Sequence, residues 1–315
     1  MAGYNAQITR TDAESLILED HVNEIFQAMP QSSTVMQLGR RLRDMTAGTQ
    51  RLSVLSSLAQ AYFPDGDNGL IPLSDMAWAD KYVEAGKIAA IIGIPEDVLD
   101  DASYDIWAES KPSIAEALGL VFDQAVYYGT GAPTNWPTSL VAQSLAAGHT
   151  VSLASFPDAY DAILGEGGVN SFVEADGYAV NGHVASLSMK SKLRGLRSSQ
   201  GEPIFMQAMI QNAVSYALDG APLVFPTNGA VVPASSLLIS GDWRQLVWSL
   251  RKDVTYKVLT EAVITDATGK VVYNFAQQDQ VGLRVTMRCG WQLPNPINRV
   301  NSDATTRLPF AVLTA

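Results

Sequence analysis

Residues 94–131 run IPEDVLDDASYDIWAESKPSIAEALGLVFDQAVYYGTG, and the rest of the chain is organised around this stretch. Apolar residues recur at Ile106, Ile114, Leu118, Val121, Ala125 and Tyr128, in steps of three, four and seven with one gap at Ser110. That spacing lays a single apolar stripe along an amphipathic helix. Asp105 is placed to cap its start and Gly129 to end it. Pro112 removes one backbone donor inside the span, which predicts a kink or local loosening. Helical from Asp105 to Tyr128, the rod is roughly 36 Å long, and its stripe requires a sheet or a neighbouring chain along it.

The bed for that rod is legible farther on. Val281, Leu283, Val285, Met287, Cys289 and Trp291 share one face of a strand, while Gly282, Arg284, Thr286, Arg288 and Gly290 take the other. Strict alternation over this length predicts a half-buried strand. Ile114, Leu118 and Val121 on the helix and Leu283, Val285, Met287 and Trp291 on the strand are therefore the expected core.

Ahead of the helix, Thr11-Asp12-Ala13-Glu14 has the form of a capping box, followed by Leu18, Val22, Ile25, Phe26 and Met29 at helical spacing until Pro30. A short second helix is expected from Ser33 or Thr34 to Leu38. The first helix packs either on its own core or, as an arm, on another chain. Arg40, Arg41, Arg43 and Arg51 form one basic cluster. With no interleaved aromatic residues for base stacking, it suits a solvated or ion-paired face, or contact with acidic neighbours, better than nucleic acid. Leu52–Phe63 and Trp78–Ile94 are predicted to be two extended segments joined by PDGDNGLIPLSD, where Pro64-Asp65-Gly66 is turn chemistry. A two-stranded ribbon is marginal alone in water. Tyr62, Phe63, Leu70, Ile71, Met76 and Trp78 on it need cover from a larger sheet or from a second chain.

Between residues 133 and 278 the pattern is mixed. Helices are expected over Phe156–Leu164 and Ser186–Leu196, and short strands at Tyr178–Val180, Leu223–Phe225 and Leu237–Ser240. A hairpin of Asp253–Ile264 with Lys270–Phe275 should turn at Asp266-Ala267-Thr268-Gly269.

With 315 residues the chain can bury a sizeable core, and 17% charged residues is a low share for a folded protein. A surface partly covered by neighbours fits that share. A net charge of −11 argues against the whole surface binding phosphate, though not against a local basic patch. The single cysteine, Cys289, excludes an intrachain disulfide and a cysteine-rich metal site. The amino terminus lacks the basic-then-apolar order of a secretion signal, and no apolar run is long enough to span a bilayer.

Catalytic signatures are missing. His21, His149 and His183 share no metal-ligand spacing, and Asn181-Gly182-His183 has no nucleophile elbow beside it. Gly165-Glu166-Gly167-Gly168 lacks the third glycine of a dinucleotide loop, and Asp97, Asp100 and Asp101 are most simply helix-start carboxylates. No catalytic residue, cofactor or metal is expected.

The segments KIAAIIGIPEDVLDDA, YYGTGAPTNWP, GDWRQLVWSLRKDVTYKV and VGLRVTMRCGWQLPNP, with the acidic-start helix at Tyr104-Asp105-Ile106-Trp107, resemble the major capsid proteins of tailed phages, the HK97-fold family. The resemblance runs through most of the chain, most specifically residues 70–140 and 240–296. It implies an α+β fold with an N-terminal arm (1–51) and an extended loop (52–93). A peripheral domain with a long spine helix (94–132 and 279–315) and an inserted axial domain (133–278) complete it. It further implies self-assembly through pentamers and hexamers into an icosahedral shell around double-stranded DNA in the host cytoplasm. The expected contacts between copies are Arg40, Arg41, Arg43, Tyr62, Phe63, Leu70, Ile71, Met76 and Trp78. A separate scaffolding protein, a portal and a decoration protein would be the other partners, because about fifty residues ahead of the loop are few for a built-in scaffold. Some members join a loop lysine to a neighbour's asparagine with a glutamate assisting. Lys81 and Lys87 are the lysines available here, and the Val281–Trp291 strand holds neither Asn nor Glu. An encapsulin-like compartment with enzyme cargo is the nearest rival, and a cytosolic enzyme the more distant one.

Overall fold

The computed structural model describes residues 33–63, 70, 73–101, 106–196, 205, 208–210 and 213–315. The helix expected over Leu18–Met29, the cap at Asp105, the Pro64-Asp65-Gly66 turn and Ile71 lie outside them. In chain order the elements are α1 (Thr34–Leu38), β1 (Arg40–Arg41), β2 (Thr49–Ser57), β3 (Ala77–Glu84), β4 (Gly86–Pro95), α2 (Glu96–Asp101) and α3 (Ile106–Tyr128). Then come α4 (Leu140–Ala147), β5 (Thr150–Ser152), α5 (Ala159–Leu164), α6 (Val169–Ala175), β6 (Gly182–Ala185) and α7 (Leu187–Gly195). Short strands follow: β7 (Ala208–Ile210), β8 (Ala213–Ser215), β9 (Ala217–Leu218), β10 (Ala221–Val224) and β11 (Leu238–Gly241). The chain closes with β12 (Val247–Leu259), β13 (Val263–Thr265), β14 (Val271–Asn274), β15 (Gln280–Gln292) and β16 (Phe310–Thr314).

Helix α3 is the expected rod. It continues through Pro112 for 23 residues and ends at Gly129, whose φ of 75° suits glycine. It lies on a four-stranded sheet of order β1-β12-β15-β4. Ile114, Leu118, Phe122 and Val126 share a core with Leu283, Val285, Met287 and Cys289, as the alternation in β15 predicts. Val121 does not join them and is 44% exposed. The buried arc of the helix is wider than one stripe, because it packs on the sheet along one side and on α1 and Trp243 along the other. That arc is centred nearer Phe122, and Val121 falls outside its edge.

A six-stranded sheet of order β5-β16-β11-β6-β10-β9 adjoins this layer. Val184, Ile239 and Val312 face the α3 core from it, while Ala185, Leu238 and Leu313 face a second core with Ile163, Val169, Val173 and Met189. Trp243 ties the two layers. Its indole Nε1 donates to the Gly182 carbonyl at 3.0 Å, and its ring meets Phe310 and Tyr127 edge-on at 5.1 and 6.3 Å.

Several expectations shift. Ser33 and Ser186 precede α1 and α7 as their caps, accepting from Met36 N and Met189 N, and Gly269 makes the β13–β14 turn at φ 84° as expected. Trp78–Ile94 is not one extended segment: it breaks at Ala85 into β3, which pairs with β2, and β4, which pairs with β15. A side chain at Gly86 would collide with Trp136 at 2.8 Å, so glycine lets the chain pass from ribbon to sheet there. The strand expected at Tyr178–Val180 is instead Gly182–Ala185, and the hairpin arm expected over Asp253–Ile264 is two strands: β12, which begins at Val247 and pairs with β15, and β13, which alone pairs with β14. Of the predicted helix-start carboxylates only Asp97 is in the first turn of α2, and Asp100 and Asp101 close it. The boundary drawn at residue 278 falls between two paired strands, β12 and β15, and β16 pairs with β11 and β5 in the six-stranded sheet.

Candidate assembly surfaces

The β2–β3 ribbon is fixed at its base and free toward its tip. Gln292 Nε2 donates to the Tyr82 carbonyl at 2.8 Å and Lys81 Nζ to the Leu293 carbonyl at 3.0 Å. Farther out, Ile297 N donates to the Leu55 carbonyl at 3.1 Å and Arg299 Nη2 to the Ala59 carbonyl at 2.8 Å. Phe63, Leu70 and Leu73, beyond these ties, expose essentially their whole surface, and Tyr62, Met76 and Trp78 on the ribbon expose about half of theirs. A folded monomer in water rarely leaves so continuous an apolar surface uncovered. Burial, and then the positive field of Arg307, hold the Lys81 ammonium below its ordinary pKa.

The basic cluster divides. Arg40 and Arg41 form β1 on the edge of the four-stranded sheet, and Arg43 follows close behind. Arg41 bonds Asp44 at 2.9 Å and lies over the Trp248 ring at 5.6 Å, whereas Arg51 is on the ribbon, 3.3 Å from Asp80.

Sequence reasoning missed two sites. The first is Asp123, fully buried on α3. Its Oδ1 accepts from Ser33 Oγ at 2.6 Å and Val35 N at 3.2 Å, and its Oδ2 from Thr34 N and Thr34 Oγ1, both at 2.8 Å. The Tyr127 hydroxyl completes the chain, 2.6 Å from Thr34 Oγ1. The carboxylate thereby satisfies orphan N–H groups at the start of α1 and pins that start onto the long helix. Burial pushes the Asp123 carboxyl up to about 6, against the four donated bonds that favour its charge. A lone Asp inside an apolar helical run was the available signal.

The second is the face of the four-stranded sheet turned away from α3. Lys87, Arg288 and Lys252 stand directly opposite one another across three strands, and Arg284 stands opposite Lys257. Alternation had put Arg284 and Arg288 on one face of β15. The register that adds the lysines is not readable from sequence.

Among the described residues the histidines and the cysteine form no catalytic arrangement. His149 Nε2 is 3.3 Å from Asp176 Oδ2 and its Nδ1 is 3.2 Å from the Phe310 carbonyl, so the ring serves a structural polar cluster. His183 is fully buried, with Nε2 against the Leu218 carbonyl at 3.2 Å. Burial of Cys289 raises its thiol far above the usual range, which leaves it unreactive. Gly165-Glu166-Gly167-Gly168 is a tight link between α5 and α6. Among the described residues no group of three His, Cys, Asp or Glu is placed to hold a metal, and no helix is long and apolar enough to cross a membrane. The groove of about 460 Å³ beside Thr34, Pro112, Glu116 and Phe225 brings together no catalytic constellation.

Solved phage structures share this fold over most of the chain. A chain of Microbacterium phage Oxtober96 superposes with a TM-score of 0.77 at 29% identity, over 98% of this chain and 99% of that one. A capsid chain of a native GTA particle shares the fold at a TM-score of 0.62 and 15% identity, over 90% of this chain and 91% of that one. The fold is therefore the HK97-type α+β fold of capsid subunits. The major capsid protein of Staphylococcus phage 80alpha is 24% identical over 276 residues, 87% of this chain and 80% of that protein. The model of the phage capsid family matches residues 14–298, and the chain belongs to that family. Its function is that of a structural phage capsid protein.

Proposed function

We propose that copies of this chain assemble through pentamers and hexamers into a closed icosahedral shell around double-stranded DNA, in the cytoplasm of the host. The exposed apolar ribbon carries this reading, since Phe63, Leu70 and Leu73 are uncovered in the single chain and a neighbour would cover them. The four-stranded sheet with α3 then acts as the peripheral layer, the six-stranded sheet with α5, α6 and α7 as the axial one, and the ribbon as the extended loop. Tyr62, Phe63, Leu70, Ile71, Met76 and Trp78 would meet one neighbour, and Arg40, Arg41 and Arg43 another. Heterologous contacts of this kind close into rings and shells when the rotations fit. A separate scaffolding protein, a portal and a decoration protein are the further partners, and the chain has no catalytic role.

The shell is held without covalent links. Lys81 is half-buried and already donates to the Leu293 carbonyl, and β15 offers neither Asn nor Glu. Particles boiled in denaturant should run as a single band near 33.8 kDa, and a ladder that survives reduction would contradict this. Sedimentation and negative-stain microscopy of the expressed protein test the reading itself. Megadalton closed particles are expected, with nuclease-protected DNA in those taken from infected cells. A small soluble oligomer would refute the shell, and particles holding an enzyme instead of DNA would make it a compartment.

A further inference from the structure

We infer that residues 293–308, in the irregular link between β15 and β16, form a strut that sets the direction of the ribbon. Asp176 and Arg307 are its positioning residues. The inference rests on the shell reading for its purpose, since the ribbon serves there as the element that meets a neighbour.

A two-stranded ribbon holds no direction by itself, because its twist and bend are soft. Here the chain breaks at Ala85 between β3 and β4, so the ribbon hangs from the edge of that break. The ties at Tyr82 and Lys81 hold only its root. Leu55 stands opposite Trp78, four residues beyond Tyr82 and about 13 Å farther out at roughly 3.3 Å per residue. There the Ile297 N–H donates to the Leu55 carbonyl at 3.1 Å, and Arg299 Nη2 donates to the Ala59 carbonyl at 2.8 Å. Both outer ties come from the link, so the ribbon points where residues 297 and 299 place it.

A segment with neither helix nor strand is ordinarily among the softest parts of a domain. This one is braced by two buried charges. Asp176, at the end of α6, accepts from Asn301 Nδ2 at 2.7 Å and from Leu308 N at 2.6 Å through its carboxylate. Its carbonyl accepts from Asn298 Nδ2 at 2.6 Å. A side chain at Gly177 would collide with Val300 at 2.8 Å, so the link lies directly against the turn after α6.

Arg307 braces the link from within. Its Nε donates to Asn295 Oδ1 and its Nη2 to the Asn295 carbonyl, both at 3.2 Å, and its Nη1 to the Asn301 carbonyl at 2.9 Å. The Tyr178 hydroxyl donates to Asn295 Oδ1 at 2.8 Å, and Asn295 is held at φ 47°, where L residues seldom sit. Burying a cation and an anion costs free energy that a plain connection between strands does not require. Here the two charges stiffen a soft segment and fasten it to the layer of α6 and β16. The ribbon is thereby aligned to the six-stranded layer, and not only to the four-stranded sheet at its root.

Spin labels test this. Ala61→Cys and Lys192→Cys, both at exposed positions, carry one label on the ribbon and one on α7, while the buried Cys289 thiol takes none. In dispersed full-length subunits the distance distribution should be narrow. Asn298→Ala with Asn301→Ala cuts the clasp on Asp176 and should widen it about twofold while the circular dichroism spectrum stays native. A merely structural role is separated by Asp158→Ala, which removes the cap of α5 in the same layer without cutting a bond to the link. That change should lower the melting temperature and leave the distribution as narrow as before. An unchanged width in the asparagine pair, or equal widening by Asp158→Ala, would overturn the inference. Should the asparagine pair not fold, Arg299→Ala decides, since it cuts the outer tie at an exposed side chain. Widening then supports the strut, and an unchanged width contradicts it. If the wild-type chain forms no particles the shell reading fails, and the distances still decide the strut.

Discussion

Strand β15 has two faces with opposite economies. Toward α3 it sets Leu283, Val285, Met287, Cys289 and Trp291, all buried within the chain's own core. Toward solvent it sets Arg284, Thr286 and Arg288, aligned with further cations and lacking counter-charges on the same sheet. One face is closed within the chain, and the other is turned to solvent. The same contrast separates the base of the ribbon, tied to residues 292–299, from its uncovered apolar residues.

Placing a charge on the inner face should have the largest effect. Val285→Asp buries a carboxylate with no partner, at a cost of several kcal/mol out of the roughly 5–15 kcal/mol that holds a domain together. The variant should be insoluble or molten. An unchanged melting temperature would show that this face is not core.

Acid should act next. Burial pushes the His183 imidazole down from 6.5 to about 4, so it is neutral in the folded chain. Its share of stability is intact above pH 6.5 and is lost as pH falls through 4, a swing of about 3 kcal/mol. Asp123, raised from 3.8 to about 6, tilts the other way: its share is intact below pH 3.8 and lost as pH rises through 6. His183→Gln should therefore flatten the fall of the melting temperature between pH 6.5 and 4. A slope equal to that of wild type would contradict the assignment.

A smaller loss should follow Asp123→Asn, which keeps shape and removes charge. Each carboxylate oxygen accepts a backbone N–H, from Val35 and from Thr34, so whichever way the amide turns its NH2 faces a donor. We expect a loss of about 2 kcal/mol and faster amide exchange confined to residues 33–38. Exchange that is unchanged there would remove the latch.

Much of this was legible in the sequence. Alternation gave β15 and its buried face, and turn and helix-end chemistry gave Gly269 and Gly129. The failures have physical causes. Strands β6 and β16 and the start of β12, from Val247 to Leu250, are buried on both sides, so they carry no period-two signal to mark them. Val121 satisfies the helical spacing, yet two-sided packing moved the buried arc past it. The break at Ala85 depends on Trp136, fifty residues away. Both surfaces that were missed, the Asp123 latch and the cationic rows, arise from long-range pairing that no local pattern encodes.

The contrast between folding at home and completion by a neighbour is tested most directly by removing the outer part of the ribbon. Replace residues 64–77 with a short Gly-Ser link and compare the variant with wild type by thermal melting and sedimentation. If the removed side chains belong to the chain's own core, the subunit should lose stability. The account predicts instead a near-native melt and circular dichroism spectrum, with sedimentation as subunits or single capsomers. The apolar area lost per contact is worth only a few kcal/mol at about 25 cal/mol per Å², but every joint of a closed shell repeats it. Full-sized particles from this variant, or a subunit that no longer folds, would contradict the account.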